Sequence, residues 1–190
     1  MKKMSQIIDE LASRLVYEGP YEVPDVMADD PLAPALTNDT DESNGGVKRA
    51  KRWANNFDRD VYFICPHTDS ISRISSGHSN HHEDRRFSIS CKRTFSSFPS
   101  CYDSGWVNNF DQAFSFSCSS HSVLTGMISS HSNHHEDRRF AFRCCNAPGH
   151  HHTYCYWTPY VNCFDEYFEW LADSYSYLAG VSSYHNNKQE

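Results

Sequence analysis

The chain has 190 residues, eight of them cysteine, and a formal net charge of −7 at pH 7. Residues 53–190 carry ten Lys and Arg against fourteen Asp and Glu, a balance that argues against a nucleic-acid partner. No apolar run in the sequence is long enough to cross a bilayer, so no membrane span is expected.

The first quarter differs from the rest. Residues 1–52 contain no cysteine but carry Pro20, Pro24, Pro31 and Pro34, the acidic run Asn38-Asp39-Thr40-Asp41-Glu42 and Gly45-Gly46. That is the composition of a solvated, largely disordered segment that cannot bury a core. Its one structured piece is predicted to be a short helix over residues 5–17, where Ile7, Ile8, Leu11 and Leu15 share a face before Gly19-Pro20 ends it. Met1-Lys2-Lys3-Met4 is a basic start, but Asp9, Glu10 and Arg14 interrupt any apolar h-region, so the sequence as it stands shows no signal peptide. Asn38-Asp39-Thr40 is a glycosylation sequon. The segment closes on Lys48-Arg49-Ala50-Lys51-Arg52, and its Arg-x-Lys-Arg pattern is what a furin-like convertase cuts. Residues 1–52 are therefore read as an acidic pro-segment cleaved after Arg52, and set aside from the fold.

From Trp53 onward the chain repeats itself. His78-Ser79-Asn80-His81-His82-Glu83-Asp84-Arg85-Arg86-Phe87 recurs as His131-Ser132-Asn133-His134-His135-Glu136-Asp137-Arg138-Arg139-Phe140. The same offset carries Trp53 onto Trp106, Cys65 onto Cys118 and Cys91 onto Cys144. A third copy opens at Val161-Asn162-Cys163-Phe164-Asp165 and runs to Glu190, where Asp-Arg-Arg-Phe would follow. The domain is thus expected over residues 53–190, with units at 53–105, 106–159 and an incomplete 160–190. A unit cut there would leave a sheet without its closing strand.

Within a unit, apolar and small polar residues alternate. Phe114, Phe116 and Cys118 share one face, as do Phe140, Phe142 and Cys144, and unit one repeats this with Val61, Phe63 and Cys65, then Phe87, Ile89 and Cys91. Each unit is predicted to be a small antiparallel meander. The whole is expected to be all-β, pseudo-threefold and trefoil-like or prism-like, with disulfides as staples. Cysteines on matching faces pair Cys65 with Cys91 and Cys118 with Cys144, each closure worth roughly 3.5 kcal/mol in the chain-entropy picture. Cys145 points the other way and is free to reach Cys101, while Cys155 and Cys163 pair either with each other or with cysteines beyond Glu190. Eight cysteines without a thiol-based motif point to an oxidising, extracellular compartment.

The same alternation divides the Asp-Arg-Arg-Phe phrase. Arg85 and Arg138 lie on the side of Phe87 and Phe140, toward the core, with Glu83 and Glu136 or Asp58 and Asp111 as their expected partners. Arg86 and Arg139 face out. The His-Ser-Asn-His-His loop admits three readings. As a ligand site it offers His78, Asn80, His81 and Arg86 in one unit and His131, Asn133, His134 and Arg139 in the next, a set suited to sugar hydroxyls, sulfates or carboxylates. As a metal site it lacks Cys-x-x-Cys or His-Glu-x-x-His spacing, so no metal and no other cofactor is assigned. As scaffold it merely turns the chain. His150-His151-His152 reads as an exposed turn. Catalysis is the weakest reading, since there is no Gly-x-Ser-x-Gly elbow and no phosphate-cradling loop.

Trp-Val-Asn-Asn-Phe-Asp leading to Phe-Ser-Cys, then His-Ser-Asn-His-His-Glu-Asp-Arg-Arg-Phe leading to Cys-Cys, resembles the dermatopontin family over residues 53–190. The family's Asp-Arg-x-Trp signature falls on Asp84-Arg85-Arg86-Phe87 and Asp137-Arg138-Arg139-Phe140, with Phe in place of Trp; these carry the structural motif. The resemblance implies a secreted, non-enzymatic adhesion or aggregation protein. Its implied partners are cell-surface or matrix glycans, proteoglycans or matrix proteins, with self-association open. The alternative is a purely structural matrix component without a sugar pocket.

Overall fold

The computed structural model describes residues 10–17, 52–119, 121–149 and 154–184, with only the backbone considered for 10–17. Eleven strands and no helix form among them: β1 (Glu10–Tyr17), β2 (Val61–Ile64), β3 (Asp69–Ser79), β4 (Asp84–Arg93), β5 (Ser100–Trp106), β6 (Phe114–Ser117), β7 (Val123–Ser132), β8 (Asp137–Asn146), β9 (Tyr154–Trp157), β10 (Phe168–Leu171) and β11 (Ser176–Tyr184). They pair antiparallel into three sheets, in the orders β2-β7-β8-β5, β6-β11-β1-β9 and β10-β3-β4.

The all-β class follows from the period-2 pattern, but the strands are shared out differently from a set of closed meanders. The short strand that opens one unit pairs with the long strand of another: β2 with β7, β6 with β11 and β10 with β3. A unit of about fifty residues cannot bury a core alone, and trading its opening strand fuses the units around one. Val61, Phe87, Phe140, Phe142, Phe168, Trp170 and Leu178 accordingly join a single cluster fed by all three sheets, with Phe87 edge-on to Phe140 at 6.2 Å between ring centroids. Serines do the rest. Ser70, Ser76 and Ser129 are fully buried, and their small side chains let the sheets approach.

Three disulfides clamp the assembly. Cys65–Cys91 and Cys118–Cys144 each tie the end of an opening strand to a closing strand in another sheet, and Cys101–Cys145 joins neighbouring β5 and β8. Cys155 and Cys163 are free and exposed.

The helix expected over residues 5–17 does not form over 10–17, the part of it that the structure describes. Glu10–Tyr17 is strand β1, paired with β11 on one side and β9 on the other. Apolar residues in so short a run fit either period, and two strands with open backbone edges decide for the ladder. β1 stands beside β11 where β8 stands beside β7 and β4 beside β3, so the seat of a closing strand next to β11 is filled by residues 10–17. Residues 1–9 and 18–51, and with them most of the acidic pro-segment, lie outside the described residues, as does His150-His151-His152.

Candidate functional site: a cleft between duplicated loops

The repeated phrase makes a tight hairpin turn twice. Glu83 and Glu136 adopt left-handed backbone (φ 47° and 52°), and the His82 and His135 amides donate back to the Ser79 and Ser132 carbonyls at 3.1 Å. A second loop supports each turn. Asp58 and Asp111 also have positive φ (59° and 62°), which aims their carboxylates at the imidazoles of His82 and His135 at 3.3 and 3.4 Å. Phe57 and Phe110 stack flat on those same rings, at 4.7 and 4.8 Å. Stack and carboxylate together fix each imidazole, leaving the next one out, His81 or His134, exposed to solvent.

Below the turns lies a buried ionic seam. Arg138 is fully buried and donates through Nε and Nη2 to the two oxygens of Asp84 at 2.6 and 2.7 Å, through Nη1 to Ser129 Oγ at 3.3 Å and through Nη2 to the Arg59 carbonyl at 2.9 Å. Asp84, also fully buried, accepts from the Asp58 amide at 2.6 Å, and its counterpart Asp137 accepts from the Asp111 amide at 2.5 Å. For Arg138 the expected partners, Glu136 or Asp111, are therefore not the ones used. Asp84 of one unit holds Arg138 of the next, and Arg85 donates to the Glu166 carbonyl at 2.9 Å. The partner comes from across a unit boundary, which alternation along one strand cannot register. Asn55 and Asn108 complete the frame by accepting from the Phe87 and Phe140 amides, both at 2.8 Å, and donating to the Arg85 and Arg138 carbonyls.

Of the residues singled out as ligand candidates, Asn80, His81, Asn133 and His134 lie on the turns, His81 and His134 toward solvent. His78 and His131 turn inward instead, with side chains 6% and 1% exposed. His78 faces Asp165 at 3.4 Å, and His131 lies between Asp84 at 3.5 Å and Asp58 at 3.7 Å, with neither ring nitrogen hydrogen-bonded. Burial lowers the pKa of both imidazoles, against the pull of the nearby carboxylates. Arg86 and Arg139 are not free in solvent. Each guanidinium lies over an indole, Trp53 at 4.1 Å and Trp106 at 4.2 Å, a cation–π contact that leaves both side chains half-buried.

The two turns come together. Between them opens a cleft of about 390 Å³, walled by His81, His82 and Glu83 from the first, Asn133, His134 and Glu136 from the second, with Asp58 beside them. Among the described residues, no Lys or Arg lines it. His82, Glu83, Glu136 and Asp58 are additions to the ligand candidates; that the two copies of the phrase face one another is not visible in their spacing. Asp58, Asp84 and His131 are close enough to hold a cation, with one ligand atom of each within 4.8 Å of the others. Both Asp84 oxygens already receive Arg138, however, and its guanidinium supplies the positive charge that a cation would.

The fold and the site define a disulfide-clamped all-β repeat protein whose duplicated turns frame a polar cleft. The sequence model of the family described as Dermatopontin matches residues 55–190. The chain is 41% identical over 143 residues to the hemagglutinin/amebocyte aggregation factor of Limulus polyphemus, covering 74% of this chain and 83% of that protein. It is 33% identical over 153 residues to Millepora cytotoxin-1 of Millepora dichotoma (80% and 68% covered) and 42% identical over 103 residues to a dermatopontin of Biomphalaria glabrata (54% and 69%). The chain belongs to the dermatopontin family. No solved structure matches it.

Proposed function

We propose that this is an extracellular adhesion protein that aggregates cells by binding glycans in the cleft between its duplicated turns. One observation carries the reading: a 390 Å³ cleft walled by imidazoles, carboxylates and an amide, groups that donate to and accept from sugar hydroxyls. With Asp58, Glu83 and Glu136 in its wall and no Lys or Arg among its described lining residues, the cleft suits neutral sugars better than sulfated chains. The Limulus relative is by name a hemagglutinin and aggregation factor, which agrees with this role. Secretion fits the three disulfides, and no catalytic step is assigned to the cleft.

The second reading, a structural matrix component without a sugar pocket, draws on the fact that much of the repeated phrase is architecture: Asp84, Arg85, Asp137 and Arg138 are buried, not presented. Erythrocyte agglutination by the oxidised protein separates the two. Agglutination that simple neutral sugars block, that heparin does not, and that falls about tenfold or more in titre in a His81→Ala/His134→Ala variant of unchanged thermal stability supports the glycan site, tenfold corresponding to about 1.4 kcal/mol. No agglutination, or a titre indifferent to the double substitution, sinks it.

A further inference from the structure

The β6-β11-β1-β9 sheet is closed by a strand that no disulfide holds in place. In the first two units the closing strands are bolted by sulfur: β4 by Cys65–Cys91, and β8 by Cys118–Cys144 and Cys101–Cys145. The corresponding seat, between β11 and β9, is taken by β1.

The correspondence holds residue by residue. On β8, Arg143 stands opposite Gly126 and Cys144 opposite Leu124, with the register shifting between them. On β1, Arg14 stands opposite Gly180 and Leu15 opposite Leu178, with the same shift. On the other flank Cys145 pairs with Cys101, and Val16 stands opposite Cys155. Where the second unit has a disulfide, this seat has a valine in register with a free, exposed thiol. β1 contains no cysteine and is retained by its backbone ladders.

We propose that the seat between β11 and β9 is a strand-acceptor site, and that its ligand between molecules is the Glu10–Tyr17 arm of a second copy of this chain. Recognition is by β-augmentation, in which main-chain hydrogen bonds supply affinity and need no new side-chain pocket. Thirty-four residues separate Tyr17 from Arg52. That length spans more than about 100 Å when extended, enough to reach a neighbour. A tethered arm meets its own seat at an effective concentration in the millimolar range. Copies therefore close on themselves when dilute and exchange arms where they are crowded, as at a coated cell surface, which is the low-cost route of domain swapping. This inference does not depend on the glycan site.

The test is the chain carrying Val16→Cys in a Cys163→Ser background. Unlabelled and nitrogen-15-labelled copies are mixed from micromolar to millimolar, oxidised, digested and read by mass spectrometry. A disulfide joining the substituted position 16 to Cys155 is expected at all concentrations, with the mixed-isotope, interchain share rising about tenfold for each tenfold rise in concentration below the millimolar range. Absence of the crosslink overturns the seat, and a crosslink that stays intrachain even at millimolar protein overturns exchange. The wild-type sequence gives a second measurement without an added thiol. Small-angle scattering over the same range is expected to show dimer growing in, and to lose it in Val16→Pro, which deletes a strand amide. Dimer that persists in Val16→Pro overturns the proposal.

Discussion

Asp84 and Arg138 are 54 positions apart in the chain and meet side by side in the interior, both fully buried, in a two-pronged ion pair. Removing one partner strands the other charge in low dielectric, so Asp84→Ala is expected to cost about 3–5 kcal/mol, against about 0–1 kcal/mol for an exposed pair. Urea unfolding of the oxidised protein measures it, and a loss below about 1 kcal/mol would contradict the assignment. His78 and His131 make a second prediction among the buried side chains. Burial depresses both pKa values from 6.5, so the unfolded chain takes up protons before the folded one does. Stability is therefore flat above the unfolded value and falls as pH drops through 6.5 toward the folded values. Melting temperature should decline between about pH 7 and pH 5, and decline less in His131→Gln; an identical slope in the variant would show that other groups carry it. That Arg85 and Arg138 point inward is legible in the alternation with Phe87 and Phe140. That His78 and His131 do so as well is not, because the polar character of the phrase hides the point where strand β3 or β7 ends and the turn begins.

Among the elements, β7 shows how closely the strands are fitted. Its register shifts between Leu124 and Gly126, and a Cβ on Gly126 would run into Ile64 Cδ1 and lie 3.0 Å from the Phe63 carbonyl of β2. Gly126→Ala is expected to cost about 1–3 kcal/mol by overpacking, read as a lowered denaturation midpoint with an unchanged m-value. Retained stability would mean that β2 can give way. The long strands and their closing partners can be read from period-2 alternation, because each buries one face against the core. The pairing of β2 with β7 rather than with its own unit cannot, since a four-residue strand carries too little pattern to name its neighbour. β1 defeats the sequence reading for a related reason: eight residues with spaced leucines satisfy a helix as well as a strand, and only the open edges of β11 and β9 decide.

For the molecule taken entire, the position of β1 changes what processing would do. Cleavage after the exposed Arg52 would create a new amino terminus at Trp53, yet β1 lies inside the sheet system that cleavage was expected to leave behind. We expect mass spectrometry of secreted protein to find that new terminus under denaturing conditions, and native spectra to retain the residue 10–17 fragment with the domain; the cut severs the tether, so arm exchange joins copies of the uncut chain alone. A denatured spectrum showing only the uncut chain would refute processing, and loss of the fragment in native spectra would show that the ladders are too weak to hold it. Residue order alone suffices for the repeat, the all-β class and the cysteine pairs that match by face, because periodicity and spacing are local and survive being read one strand at a time. Which strand lies beside which, that Asp84 answers Arg138, and that two copies of one turn converge on a single cleft are settled in the folded chain. Those facts depend on contacts between distant units, selected by burial of a shared core that no single unit contains.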